Sequence, residues 1–167
     1  IKNESDLAWL KFKAMGVISR RMISERDLRR KLSAEKKSSE TRDETISILK
    51  NYGYIDDAIF AAAYVHSQMS QGPKSHLYLK KKLWEKGISS EIARAAIEAE
   101  LVGVDINSLV KDMAQKKMKS LNNLSPEKAR SRMINFLRGK GFSWDVIKNT
   151  LADMIANEMM NDDSELD

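Results

Sequence analysis

Apolar residues recur along this chain at intervals of three and four, and no stretch alternates convincingly with period two, so the pattern predicts helices throughout. Over residues 5 to about 21, Leu7, Leu10, Ala14, Val17 and Ile18 share one helical face, and Gly16 weakens that helix without breaking it. Ser24 is placed as the N-cap of a short second helix running to about residue 34. Asp27 stands three residues on as an abbreviated capping box, and Ile23 can staple against Leu28. Apart from Leu28 and Leu32 this helix is polar. A polar loop at 35–40 leads to a third helix over about 41–52, with Ile46, Ile48, Leu49 and Tyr52.

Gly53 ends that helix, because a residue without Cβ accepts the left-handed cap. Asp56 or Asp57 then offers a side-chain oxygen to the free amides of a fourth helix. Its stripe is Phe60, Ala61, Tyr64, Val65 and Met69, and it stops at Gly72-Pro73. A fifth helix turns Leu79 and Leu83 inward and its lysines outward, and Gly87 ends it. The sixth starts at Ile88-Ser89 and runs through Ile92, Ala93, Ala96, Ile97 and Leu101. The seventh, over about 105–120, carries Ile106, Leu109, Val110, Met113 and Met118. Ser125-Pro126 is an N-cap with proline at the first position of the eighth helix, which carries Ala129, Met133, Phe136 and Leu137 and ends at Gly141. Phe142 is placed to staple to Ile147 at the start of the ninth, which continues through Leu151, Met154 and Ile155.

The later part of the chain repeats itself. Aligning Leu79 with Met133 and Leu83 with Leu137 sets Gly87 on Gly141, Ile88 on Phe142, Ser89 on Ser143, Ile92 on Val146 and Ile97 on Leu151, without a gap. Leu28 to Leu32 gives the same opening in the first third. Nine helices therefore group as three tandem three-helix repeats, at 1–54, 55–102 and 103–160, with an acidic tail at 161–167 expected to be disordered. Each repeat is too small to be secure alone, so neighbours should pack into an elongated, curved all-α array.

Composition narrows the function. Apolar residues make up 42% and charged residues 32%, so a core is possible and much of each helix must face water. There is no run of about eighteen apolar residues to cross a membrane, and no basic-then-apolar leader; a chain opening on Ile1 is expected to lack its true N-terminal residues. Cysteine is absent, which removes disulfides and thiolate metal sites and suits the cytoplasm. Of 24 acids against 29 bases, four (Asp162, Asp163, Glu165, Asp167) lie in the tail, leaving 29 bases against 20 acids in the body. A basic body points to an acidic partner.

The words Leu28-Arg29-Arg30-Lys31-Leu32, Gly53-Tyr54-Ile55-Asp56-Asp57 followed by Phe60-Ala61, and Leu79 to Leu83 followed by Lys86-Gly87-Ile88-Ser89, in this order and spacing, resemble the RecX family, regulatory proteins that act on the RecA recombinase. The resemblance covers nearly the whole chain and agrees with three repeats of three helices. It implies a monomeric protein without catalysis or cofactor that binds the helical groove of the RecA–DNA filament, blocks its extension or promotes its disassembly, and so lowers ATPase, strand-exchange and co-protease activity. It implies structural roles for Gly53, Tyr54, Asp56, Asp57, Phe60, Leu79, Leu83 and Gly87.

Two basic clusters are the candidate partner surface for the filament or DNA: Arg26, Arg29, Arg30 and Lys31, and Lys74, Lys80, Lys81, Lys82 and Lys86. A solvated helix face is the bland alternative for each. Asp56-Asp57 reads as capping rather than acid–base chemistry, and His66 and His76 lack the partners a metal site needs. Trp9, Trp84 and Trp144, with nine methionines, read as filler between helices, although Trp84 among lysines would also suit an interface anchor. No glycine-rich phosphate loop, activated nucleophile or ligand set supports an enzyme. The rival function is a sequence-independent DNA-binding helical repeat that competes for DNA, since lysines give affinity without base readout. A general helical adaptor is a third reading, and it requires an exposed apolar groove.

Overall fold

The structure is a computed structural model that describes residues 2–163, with side chains over 4–156. The described residues form nine α-helices and no strands: α1 (Lys2–Ile18), α2 (Glu25–Leu32), α3 (Ser39–Asn51), α4 (Asp57–Ser70), α5 (His76–Glu85), α6 (Ser90–Leu101), α7 (Ile106–Lys119), α8 (Pro126–Gly139) and α9 (Trp144–Asp163). The helical periodicity is borne out. The acidic stretch starts inside α9, and 164–167 lie outside the described residues.

The ends differ from the sequence reading where caps decide them. Helix α3 begins two residues earlier than expected because the Ser38 hydroxyl accepts from the Thr41 amide at 3.1 Å, which puts Thr41 inside the first turn. Ser24 caps α2 as expected, accepting from the Asp27 amide at 3.3 Å. The Asp27 carboxylate does not complete a capping box; it pairs with Arg30 at 3.0 Å and Lys86 at 3.4 Å. Ser125 stands at the α8 N-cap without a side-chain cap bond, and Pro126 follows it.

The chain divides into two compact units, one of residues 1–66 and 80–100, the other of 67–79 and 101–167. In the first, Leu10, Ala14, Ile23, Leu28, Leu32, Ile46, Leu49 and Ile55 form a buried cluster of α1–α3 and the loops that follow α1 and α3. Ile23 and Leu28 are both in it, as the staple requires. In the second, Val110, Ala114, Met133, Leu137, Phe142 and Ile147 belong to a buried cluster of α7–α9, so Phe142 and Ile147 share one core as a staple requires. Each buried aliphatic side chain contributes about 1.5–3 kcal/mol relative to exposure.

The glycine corners share one geometry. Gly53, Gly87 and Gly141 have φ of 73°, 81° and 84°. After each, an amide reaches back to the same carbonyl of the finishing helix: Tyr54 to Leu49 at 2.9 Å, Ile88 to Leu83 at 3.1 Å, and Phe142 to Leu137 at 3.3 Å. This is the pattern that satisfies the last carbonyls of a helix with a left-handed residue.

Helix α2 is tied to its neighbours by charge. The Glu25 carboxylate takes Arg29 at 2.8 Å and Lys50 of α3 at 2.7 Å. Burial pushes that carboxyl up, but the hydrogen bonds and charges of Lys50 and Arg29 outweigh burial and hold it below its ordinary value. A depressed folded pKa contributes stability that is fully present above the unfolded value of 4.5 and is lost as pH falls through the folded one. Lys50→Met should therefore cost about 0.5 kcal/mol at neutral pH, and urea unfolding should show that gap closing in acid; a gap of the same size there would contradict the pairing.

The corners also differ in a measurable way. A Cβ at Gly53 meets nothing within 4 Å, whereas one at Gly87 falls 2.5 Å from the Cβ of Arg26. Gly53→Ala should cost about 1–2 kcal/mol, from the positive φ alone. Gly87→Ala should cost roughly 3 kcal/mol or more, since α2 must also move. Equal losses in denaturant unfolding would mean that α2 does not press on this corner.

Candidate partner-binding surface

Eight of the nine candidate cations, all except Lys74, lie in the first compact unit, and the fold brings the two sequence clusters together. The N-terminus of α2 sits on the end of α5. The Ser24 hydroxyl donates to the Lys86 carbonyl at 2.8 Å, and the Arg26 guanidinium donates to the Glu85 carbonyl. The Lys86 ammonium reaches Asp27 at 3.4 Å. Arg26 and Lys86, sixty residues apart in sequence, thus border one corner.

Proximity is not the same as available charge. Arg29 is taken by Glu25 and Asp43, Arg30 by Asp27, Lys82 by Glu85 at 2.8 Å and Lys86 by Asp27. Glu25 and Asp43 raise the Arg29 pKa further, so this guanidinium is a structural cation. Four cations of the set, Arg26, Lys31, Lys80 and Lys81, are exposed and have no ion pair among the described residues, and of these Arg26 is held by the Glu85 carbonyl. Lys74 corrects the expectation of a surface charge: it is buried at 5% exposure, with its ammonium donating to the Gly72 carbonyl at 3.2 Å.

Trp9 and Trp144 correct a second expectation, while Trp84 follows its alternative reading as an exposed ring among lysines. Trp9, Trp84 and Trp144 are 44%, 67% and 53% exposed, so they are not core filler. Trp9 donates to Glu35 at 3.1 Å and stacks under the Lys13 ammonium, 4.8 Å from the ring centroid. Trp144 lines an apolar cleft of about 550 Å³ with Met118, Leu124, Pro126, Leu151 and Ile155. Trp84 follows Lys80 and Lys81 by four and three residues on α5, which sets a large apolar ring beside two unpaired ammoniums. Such an arrangement suits recognition of an acidic surface, with the ring as anchor and the lysines as charge.

The motif residues build this surface rather than form it. Leu79 and Leu83 are fully buried under α5, and Phe60 is buried with its ring stacked on Tyr64 at 5.9 Å. Asp56 caps α4, accepting from the amides of Ala58 at 2.7 Å and Ile59 at 3.0 Å. Asp57 does something sequence reasoning missed: it accepts from the Glu25 amide at 2.8 Å and so caps α2 across 32 residues. Burial pushes the Asp57 carboxyl up, more than the Glu25 amide pulls it down. Tyr54 stays exposed, 6.4 Å ring to ring from Tyr52. His66 and His76 are exposed, His66 bonded to Glu100 at 3.0 Å, and the described residues bring no three candidate metal ligands together. No described helix is long and apolar enough to cross a membrane.

Comparison with known proteins agrees with this architecture. Residues 56–97 match the family model of the second three-helix domain of RecX, and residues 105–151 that of the third. The chain is 31% identical over 156 residues to the regulatory protein RecX of Clostridium botulinum, covering 89% of this chain and 67% of that one. It is 30% identical over 155 residues to the regulatory protein RecX of Streptococcus equi subsp. zooepidemicus, covering 92% of this chain but 58% of that protein. In fold it superimposes on the crystal structure of RecX from Lactobacillus salivarius with a TM-score of 0.74, at 22% identity, over 92% of this chain and 99% of that one. The chain belongs to the RecX family of regulatory proteins.

Proposed function

We propose that this chain is a non-enzymatic, cytoplasmic regulator that binds the RecA–DNA filament, blocks its extension or promotes its disassembly, and thereby lowers ATPase, strand-exchange and co-protease activity. Family membership supports the regulatory role. The observation that carries the mode of binding is the face of α5 where exposed Trp84 stands beside the unpaired ammoniums of Lys80 and Lys81. A filament that offers DNA phosphates or acidic protein surface attracts such a face, and a rigid ring supplies the buried anchor that lysines alone lack. The competing reading, a sequence-independent DNA binder, draws on the same lysines but makes no use of the tryptophan beyond stacking.

The test is the single-stranded-DNA-dependent ATPase of RecA with the chain titrated in at moderate salt. Loss of activity at ratios well below one per RecA supports action on the filament. Loss only when the chain suffices to cover the DNA, abolished by higher salt, transfers the function to DNA competition. Lys31→Glu, Lys80→Glu and Lys81→Glu combined, and Trp84→Ala separately, should each raise the half-inhibitory concentration about tenfold or more while helicity is unchanged. Reversing Arg29, Arg30 or Lys82 is a poorer probe, because each would set two carboxylates against one another. Wild-type inhibition by both variants would remove this face from the mechanism.

A further inference from the structure

The two units build the same joint with different residues, and the difference exposes a site. In the first, Ser24 caps α2, Ile23 before it is buried as the staple, and the corner lysine Lys86 is neutralised by Asp27. In the second, Ser75 caps α5, accepting from the Tyr78 amide at 3.0 Å, and its own amide donates to the carbonyl of Lys140, the residue equivalent to Lys86, at 3.3 Å. Counting from the cap serine, Tyr78 stands where Asp27 stood and Lys74 stands where Ile23 stood; before the third cap, Ser125, that place is held by Leu124. A position that is otherwise an apolar staple is here a lysine, still buried, and the acid that would neutralise the corner lysine is missing.

Burial of an ammonium is costly without a counter-charge. Burial pushes the Lys74 pKa down to about 8, and the neighbouring Lys140 pushes it the same way. The described residues hold no carboxylate in ion-pair distance of either. The surroundings add to the positive character. The N-terminus of α5 begins one residue beyond Ser75. The Lys140 ammonium lies 5.5 Å from the Phe136 ring centroid, and Lys117 lies at the same distance from that ring. Phe136 in turn lines a cleft of about 420 Å³ with Gly72, Pro73, Lys116 and Lys117, with Asp112 the carboxylate on its wall.

We propose that Lys74 and Lys140 form an oxyanion site in the second unit that takes a phosphoryl group. A tetrahedral anion carrying up to two charges matches two point-like ammoniums, whereas a carboxylate is better served by the planar fork of arginine. The phosphoryl group has two sources, a free phosphate or nucleotide and the backbone of a nucleic acid. This site does not depend on the filament reading, since it involves none of Lys80, Lys81 or Trp84.

The test uses the full chain. Inorganic phosphate is titrated calorimetrically, and thermal unfolding is followed in phosphate and in chloride at matched ionic strength. Phosphate should bind and raise the unfolding midpoint above that in chloride. Lys74→Met and Lys140→Ala should each weaken binding about tenfold or more, while Lys119→Ala, an exposed lysine of the same unit, leaves it unchanged. Lys74→Met restores an apolar side chain at the staple position, so the variant should fold at least as stably as the parent; should it not fold, Lys140→Ala alone decides. Competition by a thymidine oligonucleotide lacking terminal phosphates assigns the site to a nucleic-acid backbone, and absence of competition assigns it to free phosphate or a nucleotide. Absence of stabilisation beyond that of chloride, or equal binding by parent and both lysine variants, would overturn the proposal, and preference for an acidic peptide over phosphate would pass the site to a protein partner.

Discussion

A left-handed glycine that ends one helix and receives the N-terminus of another is the joint on which both compact units depend. At Gly87 the carbonyls of Glu85 and Lys86 take donors from Arg26 and Ser24, and a Cβ would collide with Arg26. At Gly141 the Lys140 carbonyl takes the Ser75 amide, and a Cβ would fall 2.7 Å from the Ser75 hydroxyl and 2.6 Å from Tyr78 Cβ. Helix ends carry unpaired amides and carbonyls that must be satisfied somewhere. Here the open carbonyls of one helix end are satisfied by groups at another helix start, the Ser24 hydroxyl and Arg26 guanidinium in the first unit and the Ser75 amide in the second.

The same joint decides which charges remain for a partner. Docking α2 onto α5 places a dense set of carboxylates, Glu25, Asp27 and Glu85, among the arginines and lysines, and most of the cations are consumed there. Exposed pairs of this kind add little stability each, but they hold side chains in place and leave Lys31, Lys80 and Lys81 without a counter-charge, the last two on α5 with Trp84. The unpaired positive charge of the first unit is therefore carried by fewer residues than a count of basic residues suggests. The second unit lacks the neutralising acid, and neither its corner lysine nor the buried Lys74 has a carboxylate partner among the described residues.

Much of this architecture was legible in the sequence. Glycine corners, the Ser24 cap and the Leu79/Leu83 and Met133/Leu137 registers are local features, governed by backbone sterics and by periodicity, and they appear where the chain says they should, whereas Ser125 makes no side-chain cap bond and Ser38 starts α3 early. Long-range partners were not legible. Asp57 reads as a cap for its own helix, and only tertiary structure shows it serving α2, while Asp56 alone caps α4. Trp9 and Trp144 read as filler because large aromatic residues usually are, and burial depends on which helix faces meet, whereas Trp84 among lysines stands out as a candidate exposed anchor. Lys74 reads as one more surface charge within a basic run. Its place immediately before a cap serine was the available signal, since the two equivalent places hold Ile23 and Leu124 and a staple position is expected to be apolar.

Native-state hydrogen exchange of the first unit tests the joint most directly. If α2 and the Gly87 corner hold each other, the amides of Asp27 and Leu28 in α2 and of Ile88 beyond the corner open together, with one free energy. Gly87→Ala should then lower the protection of all three by the same factor. Exchange of the α2 amides through a lower-energy opening, with Ile88 still fully protected, would show that the corner stands without α2 and would contradict the account.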